Sequence, residues 1–306
     1  MQKKKILVIG STNLDFIINM KKIPVPGETV MGDSLEIAFG GKGANQAYAC
    51  GNLGGDIVFL CAVGSEKESD QMLSSLSKAG VDITHVLVNK EQPTGRAYIY
   101  VNEQGNNCIV VVAGSNNLCT EEYIKQNHAI LEQADIIMLQ MEIPLSAVCY
   151  AVREANRLGK TVILNPAPMP DSFPEELLPL IDYLTPNETE LEHVSGMAVR
   201  DIPSARKAAE LLLKKGLKNV IVTLGKRGAL LVGQNGSRHF PATDTPVVDT
   251  TAAGDTFNAG FAVYLSERRP VDSAITFANC AAGISVTRKG AQPSIPKRSE
   301  IDETQI

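Results

Sequence analysis

The residues best suited to chemistry lie near the C-terminus, in Asp249-Thr250-Thr251-Ala252-Ala253-Gly254-Asp255-Thr256-Phe257-Asn258-Ala259-Gly260. Small residues run into a Gly-Asp pair, and an apolar helical pattern continues through Ala262, Val263 and Leu265. Small residues ahead of a helix leave backbone N–H groups approachable. Those donors, with the helix dipole, make an anion site. A carboxylate at that point is a poor anion ligand and is better suited to take the proton of an attacking hydroxyl. The segment thus reads as the base of a phosphoryl acceptor beside a cradle for the transferring phosphate. Asp255 is also of the type that caps helix starts, and the segment alone leaves that open.

A second segment is Phe39-Gly40-Gly41-Lys42-Gly43-Ala44-Asn45-Gln46-Ala47. It matches neither GxxxxGK[ST] nor GxGxxG. It is a glycine-rich lead into a helix, and its glycines let a ligand approach the backbone. Lys42 offers a cation for phosphate, and Asn45 a donor and an acceptor for hydroxyls. An ordinary loop before a helix fits the same letters. Third, Gly10-Ser11-Thr12-Asn13-Leu14-Asp15 follows the first apolar run directly. In extended chain Asn13 and Asp15 share a side, with Leu14 between them, and suit a polyol. Glu142 holds the same place after the run that ends at Gln140. Asn187 and Glu190, three apart at a helix start, share a face suited to outer contacts of a magnesium–phosphate unit, or to a cap with a first-turn acid. Thr223-Leu224-Gly225-Lys226-Arg227-Gly228 is a glycine-punctuated loop after a strand, a candidate phosphate or base contact. Gly290 opens a Gly-Ala-Gln-Pro-Ser loop with several available carbonyls.

These segments need a frame that gathers them. Apolar runs at 6–10, 57–63, 136–140, 161–165, 183–185 and 219–223 read as buried strands. Helical stretches fall between most of them, at about 43–53, 69–78, 121–133, 145–158 and 204–215, often stopped by glycine. Strand–helix alternation implies an α/β protein with a mostly parallel sheet covered on both faces, and open sheets of this kind bind ligands at strand C-termini. Two stretches break the rhythm. Residues 28–39 carry short β-like pieces, and 96–101 and 108–112 flank the turn Asn102-Glu103-Gln104-Gly105-Asn106-Asn107, a hairpin signature. A small antiparallel sheet is thus inserted in the α/β body, and its apolar face must cover a ligand cleft or another subunit.

Composition narrows the class. The chain has 306 residues, 44% hydrophobic and 21% charged, with a net charge of −5. That excludes a disordered chain, and a pI near 5.5 argues against nucleic-acid binding by bulk charge. Lys3-Lys4-Lys5 precedes a short apolar run that stops at Gly10, too short for a secretory core or a membrane span. Six widely spaced cysteines without a CxxC pair read as buried small hydrophobes in a reducing cytoplasm. His85, His128, His193 and His239 show no zinc-ligand spacing.

Taken together the segments resemble the ribokinase family of sugar kinases. The resemblance runs from Val8-Ile9-Gly10 to Thr287-Arg288-Lys289-Gly290-Ala291-Gln292-Pro293-Ser294, with the glycine-rich 40–45 and the 249–260 signatures in order. It implies one domain over 1–306: a three-layer α/β/α body with a central, mostly parallel sheet and a β-sheet lid, its strands at about 12–39 and 95–112. It implies transfer of the γ-phosphate of ATP to the 5-hydroxyl of ribose, with magnesium. Asn13, Leu14, Asp15, Gly41, Lys42, Gly43, Ala44, Asn45 and Glu142 are then expected at the sugar, Asp255 as the base, and Ala252, Ala253 and Gly254 as the anion hole. Asn187, Glu190, the Thr223, Leu224, Gly225, Lys226, Arg227 and Gly228 loop, Gly254 and Asn279 are expected at ATP. Asp249, Thr251, Ser285, Arg288, Gly290 and Ser294 match loops that hold an activating potassium ion, several through carbonyls. The lid commonly forms a homodimer interface. Two departures stand out. Ser65-Glu66-Lys67-Glu68-Ser69-Asp70 replaces a frequent Asp-Asp pair, and Asn279 stands where histidine is common.

Other readings fit less well. A kinase of another pentose or of a nucleoside (2-deoxyribose, adenosine) shares the motifs. A site built to bond a hydroxyl rejects an analogue lacking it, so Asn13 favours ribose. A sugar-binding regulator without catalysis has no use for the intact Gly254-Asp255 pair. An oxidoreductase is excluded because no dinucleotide fingerprint follows a strand.

Overall fold

The computed structural model describes residues 3–306. In chain order the strands are β1 (Lys5–Ile9), β2 (Asn13–Met20), β3 (Gly32–Gly40), β4 (Asp56–Leu60), β5 (Ala62–Gly64), β6 (Val81–Asp82), β7 (Leu87–Asn89) and β8 (Gly95–Asn102). They continue as β9 (Asn107–Val112), β10 (Ile136–Leu139), β11 (Thr161–Leu164), β12 (Tyr183–Leu184), β13 (Asn219–Thr223), β14 (Ala229–Gly233) and β15 (Gly236–Phe240). The α-helices are α1 (Lys42–Asn52), α2 (Lys67–Lys78), α3 (Glu121–Gln126), α4 (His128–Gln133), α5 (Leu145–Arg157), α6 (Glu188–Ser195), α7 (Ile202–Lys214), α8 (Ala253–Ser266) and α9 (Val271–Ser285).

Nine strands form the main sheet in the order β15-β14-β13-β12-β11-β10-β1-β4-β6. It is parallel from β6 to β13, and β14 and β15 add an antiparallel edge. Alternation along β1 divides the core. Leu7 and Ile9 pack with α3–α7 on one face, and Ile6 and Val8 with α1, α2, α8 and α9 on the other. The fold is therefore three-layer α/β/α, because each buried strand needs apolar cover on both sides. The order reverses at β1: the chain moves to β4 and β6 on one side, then returns to β10 and onward on the other. Such a switch point leaves a crevice at the strand C-termini.

The smaller sheet has the order β3-β2-β8-β9. Its strands come from 13–40 and 95–112, and the Asn102–Asn107 turn closes as a hairpin around Gly105 in the left-handed region (φ 80°). The period of two puts Asn13 and Asp15 on one face. It puts Leu14, Phe16 and Ile18 on the other, in register with Tyr98, Tyr100 and Ile37.

Three elements depart from the sequence reading. The helix expected over 121–133 breaks into α3 and α4 at Asn127, whose backbone leaves the helical region (φ −103°, ψ 20°) and both ends one helix and starts the next. The hairpin β14–β15 and the helix α9 were not anticipated, although Asn235-Gly236 is a two-residue hairpin signal. All six cysteines are free, but only Cys50, Cys61 and Cys119 are buried. Cys149 and Cys280 are half-buried, and Cys108 is exposed on the edge strand β9.

Candidate active site

The first half of the site forms where β1 ends against the start of α1. Gly41 caps α1 with φ 88°, and a Cβ there would lie 2.7 Å from the Asn13 nitrogen. A Cβ on Gly43 would lie 2.5 Å from the Ser11 nitrogen, so glycine alone permits this approach. Glu142, just beyond β10, ties the two together. Its Oε2 accepts from Ser11 Oγ (2.5 Å) and from the Lys42 main-chain N–H (2.9 Å). Asp15 lies half-buried on the facing side of β2. Its carboxyl is pushed up to about 7 by burial and by the negative charges of Glu142 and Asp255.

The second half is the start of α8. Ala252 holds a left-handed conformation (φ 58°), unusual for a residue with a Cβ, and no side chain caps the helix. The first internal bond, Thr256 N–H to the Ala252 carbonyl, leaves the Gly254 and Asp255 N–H groups ahead of it. A Cβ on Gly254 would meet nothing within 4 Å, so this turn opens outward. Asp255 does not cap the helix. Its Oδ2 accepts from Asn45 Nδ2 (3.0 Å) and its Oδ1 from Gln46 Nε2 (3.1 Å), both on α1. Burial raises its pKa against the opposing pull of Lys42 and the two amides. Burial alone would lower the Lys42 ammonium, but Asp255, Glu142 and Glu190 outweigh it and its pKa is raised.

A buried polar chain stands behind Asp255. Gln140 Nε2 donates to Gln46 Oε1 (2.7 Å), and Gln46 reaches Asn165 Oδ1 (3.4 Å). Asn165 donates to the Thr185 carbonyl (3.1 Å), Thr185 Oγ1 to Asn258 Oδ1 (2.6 Å), and Asn258 Nδ2 to the Gly254 carbonyl (2.9 Å). The chain thus joins the carboxylate to the backbone of its own helix start. Sequence reasoning missed Ser11, Gln46, Gln140, Asn165, Thr185 and Asn258 as site residues. Four of them share a signal: Ser11, Gln140, Asn165 and Thr185 are polar residues just past a buried apolar run.

A cavity of about 660 Å³ runs from Lys42 and Asp255 along the strand ends. That lies within the usual range for small-molecule sites. It is lined by Asn187, Glu190, Thr223, Gly225, Lys226 and Gly228, and by 242–245, Val247, the start of α8, Asn279 and Gly283. Asn187 and Glu190 form a reciprocal capping box on α6, so the capping alternative is realised while both side chains still line the cavity. Leu224 is instead buried in the core and Arg227 pairs with Glu188. Asn279 Nδ2 donates to the Phe240 and Pro241 carbonyls. Of the residues expected at the sugar, Asn45 and Glu142 are tied to Asp255 and to the Lys42 N–H, while the Leu14 side chain faces the other side of β2 and the Ala44 methyl is buried in the core.

The 249–294 loops meet at Asp249. Its Oδ1 accepts from Thr251 N–H and Oγ1 (2.9 and 2.6 Å), and its Oδ2 from Gly290 N–H (2.8 Å). Ser285 Oγ turns to the Ala282 carbonyl, Ser294 Oγ to the Ala291 carbonyl, and Arg288 to Glu300. Of the residues expected at a cation, Asp249 alone ties the loops together through its side chain, while Ser285, Ser294 and Arg288 spend theirs on other partners. Among the described residues no cluster of three or more His, Cys, Asp or Glu could hold a metal ion.

A buried carboxylate at a helix start whose N–H groups stand free, beside a cavity at a sheet switch point, has the parts that phosphoryl transfer to an alcohol requires. The pfkB family carbohydrate kinase model matches residues 3–298, and the chain belongs to that family. It is 42% identical to a ribokinase of Haemophilus influenzae, covering 97% of each chain. It is 36% identical to a deoxyribokinase of Salmonella typhi, again covering 97% of each. The structure of an Arabidopsis thaliana ribokinase complexed with ribose and ATP superposes with TM-score 0.92 at 34% identity, covering 98% of this chain and 97% of that one.

Proposed function

We propose that the protein catalyses ATP-dependent phosphorylation of D-ribose at the 5-hydroxyl, giving D-ribose 5-phosphate and ADP. One observation carries the reading: the Asp255 carboxylate sits at a helix start whose N–H groups face the cavity, between that cavity and the Asn13–Asp15 face. ATP lies along the cavity, with its phosphates toward Lys42 and the 252–254 turn, and Asn187, Glu190, the 223–228 loop and Asn279 beside the nucleotide. Ribose lies against Asn13, Asp15, Gly41, Lys42, Asn45 and Glu142. Asp255 takes the proton as the 5-oxygen attacks the γ-phosphorus, and the bond to the β–γ bridging oxygen breaks, releasing ADP. The N–H groups of Gly254 and Asp255 hold the charge that builds on the transferring phosphoryl oxygens. Magnesium supplies neutralising charge on the phosphates when bound. Asp249 and the carbonyls of 249–251 and 285–294 would hold potassium and fix the turn that positions the anion hole.

The small sheet acts as a lid over the sugar within a single domain, and its outer apolar face pairs with a second copy to form a homodimer. Among the described residues no helix is long and apolar enough to cross a membrane. With its free thiols, we place the enzyme in the cytoplasm. The test is ADP release with ATP and magnesium on ribose, 2-deoxyribose, fructose and adenosine, with and without potassium. Highest turnover on ribose, raised by potassium, supports the reading. Preference for another sugar overturns the substrate. Binding of ribose without turnover overturns catalysis.

A further inference from the structure

Asn13 stands at the hinge where the chain passes from β1 into the small sheet. The chain leaves that sheet through the short turn Gly114–Leu118, and Asn116 in this turn is 2% exposed. The Asn116 amide is spent on the hinge. Its Oδ1 accepts from Thr12 N–H (2.9 Å), and its Nδ2 donates to the Thr12 carbonyl (3.0 Å) and to Asn13 Oδ1 (2.9 Å). Gly95 closes over the pair. A Cβ there would meet Asn116 Nδ2 at 2.2 Å and Asn13 Oδ1 at 2.3 Å. Two consequences follow from the chemistry. The carbonyl oxygen of Asn13 is already bonded, so its side chain offers the NH2 donors outward. The chain's first entry into the small sheet and its last exit from it, two of four crossings, are also clasped to each other through one side chain.

We propose that Asn116 is a positioning residue for sugar specificity. It fixes the Asn13 amide so that a donor meets a secondary hydroxyl of the acceptor, and thereby sets the preference for ribose over its 2-deoxy analogue. The inference rests on the reading that Asn13 faces the sugar. An analogue lacking the hydroxyl leaves a buried donor unpaired, and an amide free to rotate can turn its oxygen outward instead, which blunts that penalty.

The test compares kcat/KM for ribose and for 2-deoxyribose in Asn116→Ala, Asn13→Ala and the double variant. Asn116→Ala is expected to lower the ribose preference about tenfold, the worth of one hydrogen bond, mainly through ribose KM and with ATP KM unchanged. Adding Asn116→Ala to Asn13→Ala should leave the preference where Asn13→Ala alone puts it, because the two act as a unit. Equal loss on both sugars, with the preference intact, marks a merely structural role and overturns the proposal. If Asn13→Ala leaves the preference intact, the placement of Asn13 at the sugar fails first, and the proposal with it. Asn116→Ser keeps a hydroxyl for the Thr12 backbone but is too short to hold the Asn13 amide oxygen. It should show the same change in preference, which covers the case in which Asn116→Ala does not fold.

Discussion

Asp255 concentrates the chemistry in one carboxylate, and its surroundings set what a substitution does. Asn at this position keeps the shape and the two amide neighbours but cannot accept the proton. Asp255→Asn is expected to lower kcat by about 10²–10⁴, with ribose and ATP still binding by calorimetry. Near-normal turnover would remove Asp255 from the role of base. Gln46 gives a finer test. Its donor bond favours the ionised carboxylate, in a setting that also holds Lys42, Glu142 and Glu190. Gln46→Leu removes that bond, so the Asp255 pKa rises further and the acid limb of the kcat–pH profile moves to higher pH. A uniform loss of rate with the limb unmoved would reduce Gln46 to packing. The motifs around Asp255, Lys42 and Asn45 were legible because each is a short run at a helix start with its own local grammar. Gln46, Asn165 and Thr185 were not singled out, because only the sheet brings their distant strand ends to one place.

At the level of elements, β2 carries the tension between stability and binding. It leaves the body at Asn13 and brings the Asp15 carboxyl close to Glu142 and Asp255. A carboxyl whose folded pKa is about 7 against an ordinary 3.8 binds its proton more tightly folded than unfolded. Its contribution to stability is therefore present below about pH 4 and is lost as pH rises through about 7. Asp15→Asn cannot ionise. In denaturant titrations of the ligand-free protein it should be more stable than the wild type at pH 8, by an amount on the order of a few kcal/mol, with the gap closing toward pH 4. The same variant should raise ribose KM. A constant gap across pH would show that ionisation of Asp15 costs the fold nothing. The body strands were legible as apolar runs and most helices by their glycine stops. The Asn127 break was not, since one residue that leaves the helical dihedrals leaves no mark on the apolar periodicity around it.

For the molecule as a whole, the small sheet sets a problem that one chain does not solve. Alternation gives its inner face to Asn13 and Asp15 and leaves Phe16, Ile18, Ile37, Tyr98 and Val110 on the outer one. Phe16 stacks on Tyr98 with ring centroids 5.3 Å apart, while Leu35, Ile37 and Val110 remain 60%, 44% and 51% exposed. The edge strand β9 is exposed along its whole length. An apolar face of this kind beside an unpaired edge calls for cover by another surface. A second copy offers a matching face by two-fold symmetry, each sheet covering the other. Sedimentation velocity should then give a wild-type mass of two chains, and Val110→Glu should shift it to one by burying a charge against an apolar partner face. Because the same sheet holds Asn13 and Asp15 from its other side, the monomeric variant should also raise ribose KM more than ATP KM. A wild-type protein that sediments as one chain at micromolar concentration, or a Val110→Glu variant that stays a dimer, would sink this assignment. The site would then have to be rigid enough on the Asn116 clasp alone.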